Sequence, residues 1–546
     1  MIAGTPPTGI SAHEDTFVLD HLPPSSAWPE LIFDRPELQY APQTNVAVEL
    51  TDRHVREGRG DRVALHVPND PWTYRRLEET SNRIAAVLRD ELGVVPGNRV
   101  LLRAPNNPEM LACWLAVAKA GGVIVATMPL LRASELAVII DKAQIGLALC
   151  DDRLLEELEA ARDACGHSIR VESFRHVLAA ARDKDKDFTN IETAIDDPVL
   201  IAFTSGTTGA PKGCVHFHRD LLASADTFFR ESLPCQPDDV FTGSPPLAFT
   251  FGLGMHAVFP LRIGASSVLI ERPTPEALLD ACQRHGVSVI STAPTAYRAM
   301  LPLLGDYDIG TLRLCVSAGE TLPRATSDAW HDATGLRIID GIGATEMFHI
   351  FIASVGDDIR VGSTGKPVSG YRAAVLDDEM NELPPGEVGR LAVKGPTGCR
   401  YLDDDRQSIY VRDGWNFTGD TYQTDEDGYF WFQARDDDMI ISAGYNISGP
   451  EVEHALLAHE AVADCACVAA PDEERGNIVK AYVVLNDGAS VGTDLTKVLQ
   501  DFVKAEIAPY KYPRAVEFVD ALPRTETGKV QRFKLRERAR RDRGDS

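Results

Sequence analysis

From about Asp61 to Gly319, short β-rich runs alternate with helical runs of roughly ten to fifteen residues. RVALHV leads into a helix around Tyr74–Leu92, NRVLLRA reads as a strand, a helix follows at Pro108–Ala120, and VIVATM reads as the next strand. Later come SSVLIE, a helix at Pro275–His285, then VSVISTA and LRLCVSAG. Parallel strands need a crossover of a dozen or more residues, so this alternation predicts an α/β fold of βαβ units with largely parallel sheets. The 546 residues exceed what one hydrophobic core organises, so at least two domains are expected.

The texture changes from about Gly362. YRAAVLDD, EVGRLAVKG and YFWFQAR are short and alternating, with turns at PPGE and EDG, and predict a small antiparallel β subdomain. Beyond Arg435 a compact tail carries a helix at Pro450–Ala458, strands in CACVAAP and VKAYVVL, a helix at Asp494–Ile507 and a strand in AVEFVD, ending in a basic surface helix. About 110 residues suffice for a small α+β domain. The expected division is a large N-terminal domain over 1–435 and a small C-terminal domain over 436–546. The first forty-odd residues, rich in proline and polar groups, are expected to run as an extended arm over the surface.

A formal charge of −26 argues against a nucleic-acid binder, which needs an exposed basic footprint. The ten cysteines contain no C-x-x-C pair, and Cys465 and Cys467 fall in an apolar run, so reduced structural thiols are expected. MIAGTPPTGISAHEDTF has neither a charged n-region nor an apolar h-region, and the apolar stretch Met110–Leu131 is interrupted by Lys119 and Gly121-Gly122. A buried helix-to-strand step is expected there rather than a membrane span, in a cytoplasmic chain without a membrane partner.

The most informative stretch for chemistry is Thr204-Ser-Gly-Thr-Thr-Gly-Ala-Pro-Lys-Gly213, placed after the apolar strand VLIAF. Its glycines allow close backbone approach, while four hydroxyls and Lys212 supply donors and a positive charge for phosphate oxygens. It does not fit G-x-x-x-x-G-K-[ST], so it is not a Walker A loop. The stretch resembles the phosphate loop of the adenylate-forming superfamily, which includes acyl-CoA synthetases, peptide-synthetase adenylation domains and luciferases. Four more segments resemble that superfamily's motifs in order: Gly341-Ile-Gly-Ala-Thr-Glu346, Phe417-Thr-Gly-Asp420, Arg435-Asp-Asp-Asp-Met-Ile-Ile-Ser-Ala-Gly-Tyr-Asn-Ile447 and Pro523-Arg-Thr-Glu-Thr-Gly-Lys529.

The resemblance implies an acid–thiol ligase using ATP, Mg2+ and coenzyme A. A carboxylate attacks the α-phosphate, and a thiol then takes the acyl group. Thr204, Ser205, Gly206, Thr207, Thr208, Gly209 and Lys212 are expected at the β- and γ-phosphates. Gly319, Glu320, Asp340 and Gly341 are expected at the nucleotide, Asp420 and Arg435 at the ribose, Thr345 near the α-phosphate and Glu346 at Mg2+. Lys529 is expected to bridge the substrate carboxylate and the α-phosphate; unit charges ~4 Å apart interact by about 4 kcal/mol at an effective dielectric near 20. The resemblance further implies a C-terminal domain that rotates on a hinge near 436–437, with Asp437 as pivot. Ser442, Ala443, Gly444 and Tyr445 would then line the route of the thiol.

Within the superfamily, CVHFHRDLL, PLAFTFGLG and GIGATEMFHIFI look most like benzoate and 2-aminobenzoate (anthranilate) CoA ligases. Phe249, Thr250, Phe251, Gly252, Ala318, Gly343, His349 and Ile350 are therefore expected to form a narrow slot for a small aromatic carboxylic acid. Thr250 stands where plain benzoate leads one to expect a small apolar residue, and Phe251 where it leads one to expect tyrosine; both favour a substituted ring, with 2-aminobenzoate first. The acceptor is expected to be coenzyme A or, alternatively, a carrier-protein thiol. The assembly is left open between monomer and homodimer. His216 and His218 alternate as metal ligands on a strand would, but no third ligand accompanies them.

Overall fold

The structure, a computed structural model, describes residues 10–68, 70–204, 211–435, 439–442, 445–472, 475–486, 494–507, 509–524 and 529–541. Two large sheets realise the predicted alternation. In the six-stranded sheet the order is Arg170–Ser173, Leu147–Cys150, Arg99–Arg103, Val123–Thr127, Pro198–Thr204 and Lys212–Phe217. All neighbours are parallel except the last pair, a hairpin whose tip carries the phosphate-type loop. The nine-stranded sheet is parallel through its centre, where Ile338–Gly343, Leu314–Ala318, Val289–Thr292 and Val240–Gly243 lie side by side. Its far end turns antiparallel through the hairpin from Ile338–Gly343 to Ile350–Ala353.

Local chemistry explains the helices that brace these sheets. Tyr74–Asp90 starts where the Thr73 hydroxyl accepts from the Arg76 amide, and buries Leu77, Ile84, Ala85 and Leu88. Pro108–Lys119 begins with Asn107 capping the Met110 amide and Pro108 at its first position. It is apolar nearly all round, and it stops at Gly121, whose φ of +72° suits a residue without Cβ. Val123–Thr127 follows at once, so the apolar stretch is the buried helix-to-strand step expected. No helix among the described residues is long and apolar enough to cross a membrane.

The antiparallel subdomain is present as a five-stranded sheet of Arg372–Leu376, Gly389–Lys394, Trp415–Thr424, Val411–Arg412 and Phe430–Arg435. Its longest strand, Trp415–Thr424, has no clean polar alternation in the sequence and contains the Phe417–Asp420 motif. Beyond it, Val462–Asp472, Gly476–Leu485 and Ala515–Phe518 form a three-stranded sheet. Gly449–Leu457, Leu495–Glu506 and Arg532–Arg541 are helical. Cys465 and Cys467 lie buried in the first of those strands, and all ten cysteines are free thiols. The basic terminal helix is not wholly a surface feature, since Leu535 and Ala539 pack into a small core with Tyr482.

The N-terminal residues depart from the extended arm expected. Phe17–Asp20, Ser25–Ala27 and Pro36–Leu38 form short helical turns, Val18 and Leu38 are buried, and Leu31 bridges to Gly395. A few apolar residues, together with the Asp15–Arg99 ion pair, seat this segment on the body of the protein.

Candidate functional site

The hairpin register places Thr204 opposite Lys212 at the mouth of the loop. Ser205, Gly206, Thr207, Thr208 and Gly209 lie outside the described residues. The Thr204 hydroxyl is buried with no hydrogen-bond partner among the described residues. Lys212 Nζ donates to the Tyr401 hydroxyl at 2.9 Å, and that hydroxyl donates to Glu346 Oε1 at 2.5 Å. Lys212 Nζ and Glu346 Oε1 are 3.8 Å apart. The loop lysine and the motif carboxylate, far apart in sequence, thus meet through a tyrosine that no motif marked. Burial and the Glu346 carboxylate push the Tyr401 phenol up, so it stays a protonated donor.

Glu346 sits in the three-residue turn Thr345–Met347 between the two antiparallel strands, and the turn closes through Phe348 at φ +68°. A bulky residue in the left-handed region is unusual, and this one is held by burial of its ring against His216, with centroids 5.5 Å apart. The Thr345 carbonyl accepts from His216 Nε2 at 2.8 Å, while His216 Nδ1 faces Asp220 at 3.7 Å. Asp220 in turn binds Arg400 at 2.8 Å. His218 points elsewhere, its Nδ1 accepting from the Val46 amide. The two histidines therefore support different elements rather than one cation, and no group of three or more His, Cys, Asp or Glu among the described residues could hold a metal alone.

On the antiparallel subdomain, Asp420 pairs in register with Arg435, and their side chains meet at 3.0 Å. Burial raises the Asp420 carboxyl, with Arg435 opposing that shift. Gly419, at φ +75°, leaves room for the guanidinium; a Cβ there would come within 3.2 Å of it. Asp340, on Ile338–Gly343, is pushed up to about 7 by its enclosure, and a Cβ on Gly341 would strike Ile350 at 2.8 Å.

Lys529 stands at the same cleft. A Cβ built on Gly319, at φ +90° just past Leu314–Ala318, would be 4.0 Å from Lys529 Cε. The Lys529 side chain is solvent-accessible, yet protein crowding and Arg435 lower its ammonium pKa, while Glu320, Asp420 and Glu346 act to raise it. Glu320 also reaches Arg524 at 3.8 Å, Arg524 binds Asp464 at 2.6 Å, and Arg298 donates to the Ala463 carbonyl at 2.9 Å. These contacts hold the C-terminal segment against the large sheet. Ser442 is buried, and the backbone pairs it with Tyr445 in a two-stranded hairpin. Asp437, Ala443 and Gly444 lie outside the described residues.

Beside the Thr345–Met347 turn, His349 is sealed among aromatic rings. Its centroid lies 5.4 Å from that of Phe251, 4.5 Å from Phe259 and 5.5 Å from Phe228. Neither ring nitrogen makes a hydrogen bond of good geometry among the described residues, and burial, opposed by the Phe251 backbone, drives its pKa down to about 3, so the imidazole is neutral. Gly254 makes room for it, since a Cβ there would come within 2.5 Å of the ring. Thr250 is buried at the start of the short helix Thr250–Leu253, preceded by half-buried Phe249, and Gly252 packs against the Pro246 carbonyl. Gly343 abuts the His349 backbone, Ala318 pairs in register with Gly341, and Ile350 packs onto Gly341 within the sheet. Sequence reasoning missed Tyr401, Phe228, Phe259 and Gly254, because their contribution is spatial and no spacing announces it.

Comparison with known proteins agrees with this geometry. Residues 52–400 match the AMP-binding enzyme family, and residues 451–529 match the AMP-binding enzyme C-terminal domain. The chain is 36% identical over 520 residues to benzoate–CoA ligase of Thauera aromatica, covering 92% of this chain and 97% of that protein. It is 31% identical over 512 residues to the 4-hydroxybenzoate–CoA/benzoate–CoA ligase of Rhodopseudomonas palustris, covering 90% and 94%. Among solved structures it is similar to the anthranilate CoA ligase AuaEII in complex with anthranoyl-AMP, with a TM-score of 0.88, 33% identity, and 92% and 99% of the two chains covered. A benzoate CoA ligase from Burkholderia xenovorans LB400 gives a TM-score of 0.83 at 32% identity, covering 90% and 100%. A family model matching residues 52–400 and relatives matched over most of the chain, in agreement with the meeting of Lys212, Glu346 and Tyr401, place this protein in the AMP-binding enzyme family, the adenylate-forming acid–thiol ligases.

Proposed function

We propose that the protein is an aryl-acid CoA ligase that forms an acyl-adenylate from a small aromatic acid and ATP and then transfers the acyl group to coenzyme A. The observation that carries this reading is that Lys529 feels the charges of Asp420 and Glu346, while His349 packs beside Phe251 just after the Glu346 turn. Relatives named for benzoate and anthranilate add support.

In the first half-reaction a substrate carboxylate oxygen bonds to the α-phosphorus of ATP, and pyrophosphate leaves. Two anions must approach, and Lys529 supplies the positive charge between them. Lys212 and Thr204 hold the departing phosphates, and Asp420 with Arg435 takes the ribose hydroxyls. A single carboxylate, Glu346, held by Tyr401 through one oxygen, would fit Mg2+, which commonly binds one or two carboxylates together with substrate phosphates. When bound, that cation neutralises charge on the phosphates. In the second half-reaction a thiol sulfur bonds to the acyl carbon, its proton passes to solvent, and AMP leaves. We place this step in a second pose of residues 436–546, turned about Asp437, with Ser442 to Tyr445 beside the thiol. The separate cores of the C-terminal region support such a unit.

The preferred acid is read from His349 and Thr250. A neutral imidazole offers one donor and one acceptor in an otherwise apolar slot, which suits the ortho amino group of 2-aminobenzoate. An apolar pocket rejects an added polar group by only ~10²-fold, so some activity on benzoate and on substituted rings together is expected. Pyrophosphate release and CoA consumption measured with benzoate, 2-aminobenzoate, 2-hydroxybenzoate, 4-hydroxybenzoate, acetate and octanoate test this. An aryl acid should win, with CoA consumed in step. Acetate or octanoate in first place would overturn the aryl assignment. Pyrophosphate release without CoA consumption would move the acceptor to a carrier-protein thiol.

A further inference from the structure

Tyr401 is the one phenol that touches both the loop lysine and the carboxylate of the Thr345–Met347 turn among the described residues. An ammonium can only donate, so Tyr401 accepts from Lys212 at 2.9 Å and must spend its single O–H on Glu346 Oε1 at 2.5 Å. Its place is fixed by the backbone. Val215 N donates to the Arg400 carbonyl and Leu402 N to the Gly213 carbonyl, both at 2.8 Å, so residues 400–402 run as an extra edge along the outer strand of the loop hairpin. Gln407 accepts from the Tyr401 amide at 2.9 Å, and the ring is 1% exposed. The hydroxyl therefore cannot drift away from either partner. Among the described residues no group bonds the second oxygen of Glu346.

We propose that Tyr401 is a positioning residue for the divalent cation: its hydroxyl holds Glu346 by one oxygen and keeps Lys212 from closing onto that carboxylate, so the other oxygen stays available to magnesium carried by the nucleotide. The role rests on the nucleotide-binding part of the proposed function. Without the hydroxyl, Lys212, already 3.8 Å from Glu346, forms a direct ion pair that competes with the cation. Removal of a partner that orients a metal ligand weakens metal affinity by roughly ten- to a hundredfold.

The test is calorimetric binding of the non-cleavable α,β-methylene analogue of ATP across a magnesium series, on the wild-type chain, Tyr401→Phe, Glu346→Gln and the double variant. Phenylalanine keeps the ring and its packing. Tyr401→Phe should need at least about tenfold more magnesium for half-maximal nucleotide binding, with binding of 2-aminobenzoate unchanged. Adding Tyr401→Phe to Glu346→Gln should change nothing further, because the phenol acts through the carboxylate. An unchanged magnesium requirement, or an equal loss of affinity for nucleotide and acid, would mark Tyr401 as a packing residue and overturn the role. If Tyr401→Phe does not fold, Glu346→Gln alone decides it: a magnesium requirement left unchanged by Glu346→Gln overturns the role, because the phenol acts only through that carboxylate. Wild-type protein that binds no nucleotide at all would overturn the proposed function together with this role.

Discussion

Two lysines whose ammonium pKa is lowered by desolvation show how differently the body of the protein and its cleft use the same side chain. Lys119 closes the helix Pro108–Lys119 and is fully sealed, with Asp52 at 2.7 Å and Asn82 at 2.6 Å. Asp52 is itself held by Thr51 and Asn190, each at 2.8 Å, so both of its oxygens are committed. Lys529 is lowered in pKa by crowding too, but it stands solvent-accessible where charges of both signs act on it. A sealed charge with fixed partners stabilises the fold; one left accessible between opposing charges can serve a reacting anion.

Four experiments separate these uses, beginning with the largest effect. Lys529→Ala should lower adenylation by roughly a thousandfold or more, leaving urea stability unchanged and thioester formation from preformed acyl-adenylate largely intact. Equal loss of both half-reactions would contradict a lysine dedicated to the first. Lys119→Met should do the reverse, removing about 3 kcal/mol or more of stability in urea by stranding Asp52, with kcat of the remaining folded enzyme preserved. A stability change under 1 kcal/mol would mean the cluster relaxes or takes in water.

The third experiment concerns the passage of Lys529 out of the cleft. Asp437→Pro, by fixing φ, should spare adenylation and slow thioester formation by roughly tenfold or more in single-turnover assays. A defect confined to adenylation would remove Asp437 as pivot. The smallest effect is a property of the body alone. His54 and His256 are depressed to about 4, and His218 and His349 to about 3, by burial. Unfolded histidine takes up a proton near pH 6.5 while these folded ones do not, so their stabilisation is complete above 6.5 and declines as pH falls towards 3. Between pH 7 and 6 the loss should stay below about 1.4 kcal/mol per histidine, and Lys529→Ala should follow the same pH curve. A midpoint in urea flat from pH 7 to 5 would refute the burial argument.

Much of the architecture was legible because strand and helix periods differ. The helix Pro275–His285 falls where the sequence places it, its Thr274 cap and Gly286 stop being local signals. Trp415–Thr424 was missed as a strand because its burial comes from neighbours on both sides rather than from alternation. The N-terminal segment was misjudged because its seating depends on single residues such as Val18 finding a distant core.

The site divides in the same way. Lys212, Glu346, Asp420, Arg435 and Lys529 stand in short motifs, where each turn needs particular residues within a few positions. Their convergence needed the fold: Lys212 meets Glu346 across 134 positions only because residues 400–402 lie along the loop hairpin and bring Tyr401 between them. The sequence by itself determined the family chemistry, since glycine, hydroxyl and lysine spacing is a local requirement of phosphate binding. Only the tertiary structure decided that His349 is a neutral ring packed among aromatic side chains and that Lys529 stands accessible beside charges of both signs. Desolvation and charge–charge distance belong to the packed chain and have no counterpart along the sequence.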